Sequence, residues 1–192
     1  MKRNFLFLLG VSVLALTACI PSVNPFYTEK DLTFDDRLVG QWQAEPNEVW
    51  KFEADGENNY KLTVAEKDNK EGEFRARLFK IEDAHYLDVI PTKCNFSNKQ
   101  ADMVSSAMFS GHLLMSVAQF QPDLKIAFCD YDWLQKFLKN TPSALAHRVE
   151  GDSLLITAST SDLQKFVANH ATELFQEAKL FAPTNLIASP LK

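Results

Sequence analysis

The chain opens with two cations, Lys2 and Arg3, followed by an apolar run from Phe5 to Leu16 interrupted only by Gly10 and Ser12. Twelve residues are too few for a helix to cross a bilayer core, which takes roughly 20, so the pattern reads as an export signal rather than a membrane span. Residues 20–31 carry Pro21 and Pro25 with little periodicity and read as a tether. From Leu38 the hydrophobic positions begin to alternate, as they do in strands covered on one face. Residues 38–42 form a first strand, and 48–54 a second with Trp50 and Phe52 on one face. Tyr60, Leu62 and Val64 repeat the pattern, and 73–81, 85–90, 110–120 and 124–129 complete seven strands. Asp55-Gly56 is a hairpin signal, and Gln121-Pro122-Asp123 turns the last pair. The interval 91–103 is rich in Asn, Lys, Ser and Gln and predicts a long loop, either a lid over one end or solvent-exposed slack.

Helical spacing is confined to the C-terminal third. Trp133, Leu134, Phe137 and Leu138 share one face of a short helix, and Thr141-Pro142 starts a further turn or two. Residues 153–158 read as the last strand. Ser161 to Gln164 matches a capping box ahead of Leu163, Phe166, Val167, His170, Ala171, Leu174, Phe175 and Ala178, a one-faced helix of about 17 residues. Its stripe packs most simply on the outside of the sheet, with a membrane surface or a partner as the alternative. The expected fold is mainly β with C-terminal helices: an antiparallel meander closed into a barrel or rolled sheet and packed by the last helix. The expected division is a signal at 1–18, an N-terminus and tether at 19–36, one globular domain at 37–181 and a loose tail at 182–192.

Leu16-Thr17-Ala18-Cys19, placed where the apolar run ends, resembles the lipobox of bacterial lipoproteins. The resemblance implies removal of residues 1–18, a diacylglyceryl group on the Cys19 thiol and acylation of the new N-terminus. The alternative is an ordinary secretory signal that leaves Cys19 unmodified. Several acyl chains hold a membrane far more firmly than one. Ile20, rather than Asp, after the cysteine implies the outer membrane, with the domain facing the periplasm. Export also makes a disulfide permissible for Cys94 and Cys129. A bond between residues 35 positions apart would stabilise by about 4 kcal/mol in the chain-entropy account; the alternative is two buried or free thiols.

The formal charge of the whole chain is −5, and losing Lys2 and Arg3 with the signal takes two cations away, giving −7. An acidic domain without a Lys/Arg cluster argues against nucleic acid and against electrostatic docking on anionic lipid. Fifteen Phe and three Trp suit a globular core. His85, His112, His147 and His170 are scattered without ligand spacing, so neither a metal nor a cofactor is expected.

Gly40-Gln41-Trp42, entering the first strand, resembles the Gly-x-Trp opening of lipocalins, and Cys129-Asp130-Tyr131 is similar to that family's Thr-Asp-Tyr motif with Cys in place of Thr. The resemblance implies an eight-stranded barrel whose Trp closes one end against a late Arg, here Arg148, and whose last strand at 153–158 is followed by a helix. Trp50, Phe52, Tyr60 and Leu62 then either frame a cavity for a small apolar ligand or fill an ordinary core.

Chemistry is otherwise sparse. Asp83-Ala-His85 and Ser110-Gly-His112 match no nucleophile motif. The pairs Asp35-Asp36 and Glu82-Asp83 lie in turns and make poor acid and base partners. An enzyme is not expected. The sequence favours a membrane-anchored, lipocalin-like carrier of a small apolar molecule; the alternative is a filled module that binds an envelope protein through its surface.

Overall fold

Seven consecutive strands realise the alternation: β1 (Gly40–Glu45), β2 (Glu48–Ala54), β3 (Tyr60–Glu66), β4 (Lys70–Ile81), β5 (Ala84–Lys93), β6 (Leu113–Gln119) and β7 (Leu124–Phe128). They belong to a computed structural model that describes residues 20–66, 70–93, 111–151 and 153–184. The signal segment, Cys19, Cys94 and residues 94–103 of the expected loop lie outside the described residues; Pro91 to Lys93 end β5. Each strand pairs antiparallel with the next. At the Asp55-Gly56 turn, Gly56 takes φ +79° and Asn58 φ +55°, and the Asp55 amide closes the turn on the Asn59 carbonyl at 3.0 Å. Both residue types tolerate that left-handed backbone.

The chain then leaves the sheet. Helix α1 (Tyr131–Asn140) is capped by Asp130, whose carboxylate accepts from the Trp133 amide. A 3-10 turn at Pro142–Ala144 follows the expected Thr141-Pro142 start. The hairpin β8 (His147–Glu150) and β9 (Ser153–Ile156) precedes α2 (Thr160–Leu174). Only afterwards does β10 (Ala178–Pro183) slot between β7 and β1 and close an eight-stranded antiparallel barrel.

Three expectations are corrected by this path. Residues 153–158 do not close the barrel, since Ser153–Ile156 pairs with β8 in a separate two-stranded sheet. Ala178 is not the end of a helix; it starts the closing strand, and that strand runs through Pro183, two residues past the boundary read for the domain. Its alternation escapes notice because Phe181 alone among its six residues is buried. The α2 cap is Ser159 rather than Ser161: its hydroxyl accepts from the Asp162 amide and donates to the Asp162 carboxylate. The helix also leaves helical geometry at His170.

Two apolar cores result. The inner one fills the barrel with the inward side chains, among them Trp42, Trp50, Phe52, Tyr60, Leu62, Leu87, Ile126 and Phe181. The outer one lies where Phe79 of β4, Tyr86 of β5 and Leu114 of β6 meet Leu134 and Leu138 of α1, Leu154 and Ile156 of β9, and Leu163, Phe166, Val167 and Leu174 of α2. The amphipathic face of α2 therefore packs on the barrel wall. Because β5 is covered on both sides, Tyr86, Leu87, Asp88 and Val89 are buried in succession.

One barrel end is plugged by residues 34–39. Leu38 is fully buried in the inner core, and Phe34 stacks on Tyr60 at 4.7 Å. The Trp42 indole donates to the Leu38 carbonyl at 2.9 Å. Gly40 sits at φ +148°, a conformation closed to most side chains, which gives the Gly of the Gly-x-Trp opening a backbone reason. Arg148 plays no part here: it lies exposed on β8, opposite Leu155. The guanidinium over an inner-core ring is that of Arg37, 4.8 Å from the centre of Phe120.

Truncation of Trp42 to Ala removes the ring that ties the plug to the barrel. It should cost about 3–5 kcal/mol, seen as a lowered midpoint in denaturant; an unchanged midpoint would contradict this packing. Tyr60 supplies a pH signature. Its hydroxyl accepts from the Asp35 amide at 2.7 Å, and burial pushes its pKa up to about 12 from 10.0. The raised value means stability is complete below pH 10 and falls as pH rises toward 12, at up to about 1.4 kcal/mol per unit. Tyr60→Phe should flatten that alkaline slope in unfolding titrations.

Candidate functional site

Trp50, Phe52, Tyr60 and Leu62 all point into the barrel, where they retain 5, 1, 0 and 1 % of their surface. Side chains framing a void of several hundred Å³ would keep surface open to solvent within it. These instead touch one another and their neighbours. Trp50 meets Phe181 at 5.1 Å, Phe128 at 6.0 Å and Phe52 at 6.3 Å, and Phe52 meets Tyr60 edge-on at 6.4 Å. Offset and edge contacts of this kind are the favoured aromatic geometry. The four residues are brought together in the inner core.

Polar chemistry gathers on the outer wall instead. Asp88 of β5 is 2 % exposed, and with Ser22 it makes up the buried polar set among the described residues. Its carboxylate accepts from the Phe26 amide at 2.9 Å and from His112 Nδ1 at 2.7 Å. Both donors engage the segment expected to be a slack tether. Ser22 and His112 exchange backbone hydrogen bonds at 2.9 Å in each direction, and Ser22 also bridges Ile156 of β9 in parallel. Ile156 donates to the Pro21 carbonyl, Thr160 to the Pro25 carbonyl and Gln164 to the Phe26 carbonyl. Further on, Leu32 bridges Phe79, and the Thr33 amide donates to Leu78. Residues 20–33 are thus a strap bound across β6, β5 and β4, with Ile20, Phe26 and Tyr27 buried. The prolines keep it extended, and their carbonyls, freed from any helix, serve as acceptors.

Arg77, across from Asp88 on β4, extends this network outward. It donates to the Tyr27 hydroxyl at 2.8 Å, to Asn59 at 2.7 Å and to Glu29 at 3.1 Å. Burial pushes the Tyr27 pKa up, against the opposing pull of Arg77. Among the described residues, every buried side-chain polar atom has a hydrogen-bond partner, as a fastening requires.

The other residues singled out by sequence stand apart. His85 lies edge-on to Phe120 at 5.2 Å, and burial, reinforced by Lys80, lowers its pKa. The Asp35 carboxylate is bound by Arg37 and held below its usual range by that hydrogen bond. Glu82 takes φ +54° in the β4–β5 turn. His170 packs against Phe166, Phe137 and Trp133 at 4.7, 4.9 and 5.7 Å, linking α1 to α2. No group of three His, Cys, Asp or Glu among the described residues is placed to hold a metal ion. The Cys129 thiol lies 3.6 Å from the Leu114 carbonyl. Its expected partner Cys94 is outside the described residues, and no disulfide forms among those described.

Two spaces adjoin the outer core. A crevice lined by Ile20, Leu134, Leu145, Phe166 and Leu174 has room for about 20 Å³, one water molecule. A wider groove of about 560 Å³ opens between α1 and the hairpin. Leu138 and Leu154 lie buried at its base, and Gln135, Lys136, Lys139, His147 and Val149 flank it. Sequence reasoning missed Asp88 and this groove. A charge inside the otherwise apolar run Tyr86 to Ile90 was the available signal for Asp88; the groove depends on how α1 meets a hairpin whose β8 carries little hydrophobic pattern.

No protein-family model, curated protein or solved structure matches the chain.

Asp88→Ala leaves the Phe26 amide and the His112 ring without their acceptor. Each orphaned buried donor costs about 1–3 kcal/mol, so the variant should lose stability and, ahead of global unfolding, amide protection along residues 22–27. Hydrogen exchange that leaves the Phe26 amide as protected as before would show that Asp88 does not hold the strap.

Proposed function

We propose that the chain is a bacterial lipoprotein, acylated on Cys19 and anchored in the outer membrane facing the periplasm. Its lipocalin-like barrel serves as a filled, non-enzymatic scaffold that engages other envelope components through its surface. The observation that carries this reading is the interior: the four side chains that would frame a ligand site are 5 % exposed or less and stack on one another. A carrier of small apolar molecules needs a concave apolar pocket of a few hundred Å³, and the described interior offers its aromatics no such space. The order of the two sequence-derived readings is therefore reversed, and the interaction module comes first. The lipobox residues supply the anchor, and the periplasmic address keeps a Cys94–Cys129 bond as part of the proposal.

The intact mass of the mature protein should show the N-terminus at Cys19 with added acyl chains, and Cys19→Ser should leave the precursor at full length. The soluble domain should bind fluorescent fatty-acid probes neither stoichiometrically nor in a manner sensitive to Phe52→Trp. Saturable one-to-one binding lost in Phe52→Trp would restore the carrier. A mature mass without acyl groups would remove the anchor.

A further inference from the structure

The strap changes what a lipid on Cys19 would do. Ile20 is 6 % exposed and packed in the outer core, so the chain is fixed from the first residue after the cysteine. One peptide unit spans 3.8 Å, which keeps the Cys19 sulfur within about 7 Å of the Ile20 Cα. The headgroup layer between hydrocarbon and water is itself only about 5–8 Å thick on each side. An acyl-glycerol on that sulfur must reach the hydrocarbon boundary, so the protein surface around Ile20 is drawn down among the headgroups.

Register identifies that surface. Ser22 pairs in parallel with Ile156, which puts Ile20 level with Leu154, and Leu154 lies at the base of the groove between α1 and the hairpin. One of the large apolar side chains left exposed flanks this spot: Val149, 60 % exposed, pairs with Leu154 and lines the groove. Lys136 and Lys139, three apart on α1, stand exposed on the same groove. The hairpin's own Arg148 and Glu150 offset each other.

We propose, building on the lipid anchoring of Cys19, that the domain lies directly on the bilayer through this groove face, with Val149 at the headgroup boundary and Lys136 and Lys139 on anionic phosphates. The mature chain is acidic as a whole, but a basic pair held at the surface by a covalent anchor acts locally, within a Debye length of about 8–10 Å. The acyl chains supply the affinity, and the patch sets the orientation. The barrel wall of β1 and β2, on the far side of the ring from β6, then faces the aqueous space.

The test uses full-length acylated protein in vesicles of phosphatidylethanolamine and phosphatidylglycerol carrying a headgroup nitroxide quencher. A fluorescent amino acid is incorporated at position 149 or, as the control, at position 53 on the outer face of β2. Quenching should be several-fold stronger at 149 than at 53. Lys136→Glu with Lys139→Glu should weaken it while the protein still floats with the vesicles. Equal quenching at the two positions, or quenching at 149 that the charge reversal leaves intact, would overturn the orientation. A protein that carries no acyl mass and fails to float would instead overturn the anchoring, and this inference with it.

Discussion

The carboxylate of Asp88 is where the outer layer of this protein is fastened to its barrel. It is the buried charge among the described residues, placed inside the otherwise apolar run Tyr86 to Ile90, and its two donors come from the two segments that meet there, the strap and the residue just before β6. A charge taken out of water is costly unless hydrogen bonds replace its hydration. Asp88 therefore demands the Phe26 amide and the His112 ring as much as they demand it. This reciprocity gives the strap a single register, and the strap's register in turn aligns β9, which pairs to Ser22, and α2, whose Gln164 and Thr160 bind strap carbonyls. The aliphatic contacts of the outer core carry the bulk of the burial energy but not this alignment, since apolar packing is non-directional.

The need for that layer follows from the barrel. A closed antiparallel ring removes strand edges, and its interior here is satisfied by its own side chains. The outside of β4, β5 and β6 is another matter, because Phe79, Tyr86 and Leu114 point away from the barrel and must be covered. The chain covers them from both ends, with the strap before β1 and with α1, the hairpin and α2 before β10. β10 closes the ring only after that excursion, so the chain that covers the wall also supplies the barrel's last strand.

The legible part of this architecture was the part encoded by side-chain alternation. The seven strands, the Asp55-Gly56 turn, the buried Trp42 and the apolar stripe of α2 follow from period-2 and period-3.6 patterns. β10 was not legible, because it shows solvent every residue but Phe181. The strap was not legible for a different reason: its bonds run through main-chain groups, which a side-chain pattern does not display, and its prolines mimic the composition of a linker. The four aromatic positions named for a ligand were legible as inward-facing, but alternation alone fixes only which way a side chain points. Whether inward side chains leave space is decided by what stands opposite, and Phe181 and Phe128, opposite Trp50, come from strands far along the chain.

A filled barrel and a fastened strap bear jointly on how such a protein can act. A domain on a slack tether samples all orientations above a membrane, and any face may then serve as its contact surface. Under the lipid-anchored reading, a domain whose first residue after the anchor is already buried is held close to that anchor. The same hydrogen bonds that stabilise the outer core thereby become geometric information, passed from Asp88 through the strap to the position of Ile20. Under the lipid-anchored reading, partners approaching from the aqueous side would meet the β1–β2 wall and its Lys51–Glu53 pair, while the groove face is turned toward the lipid.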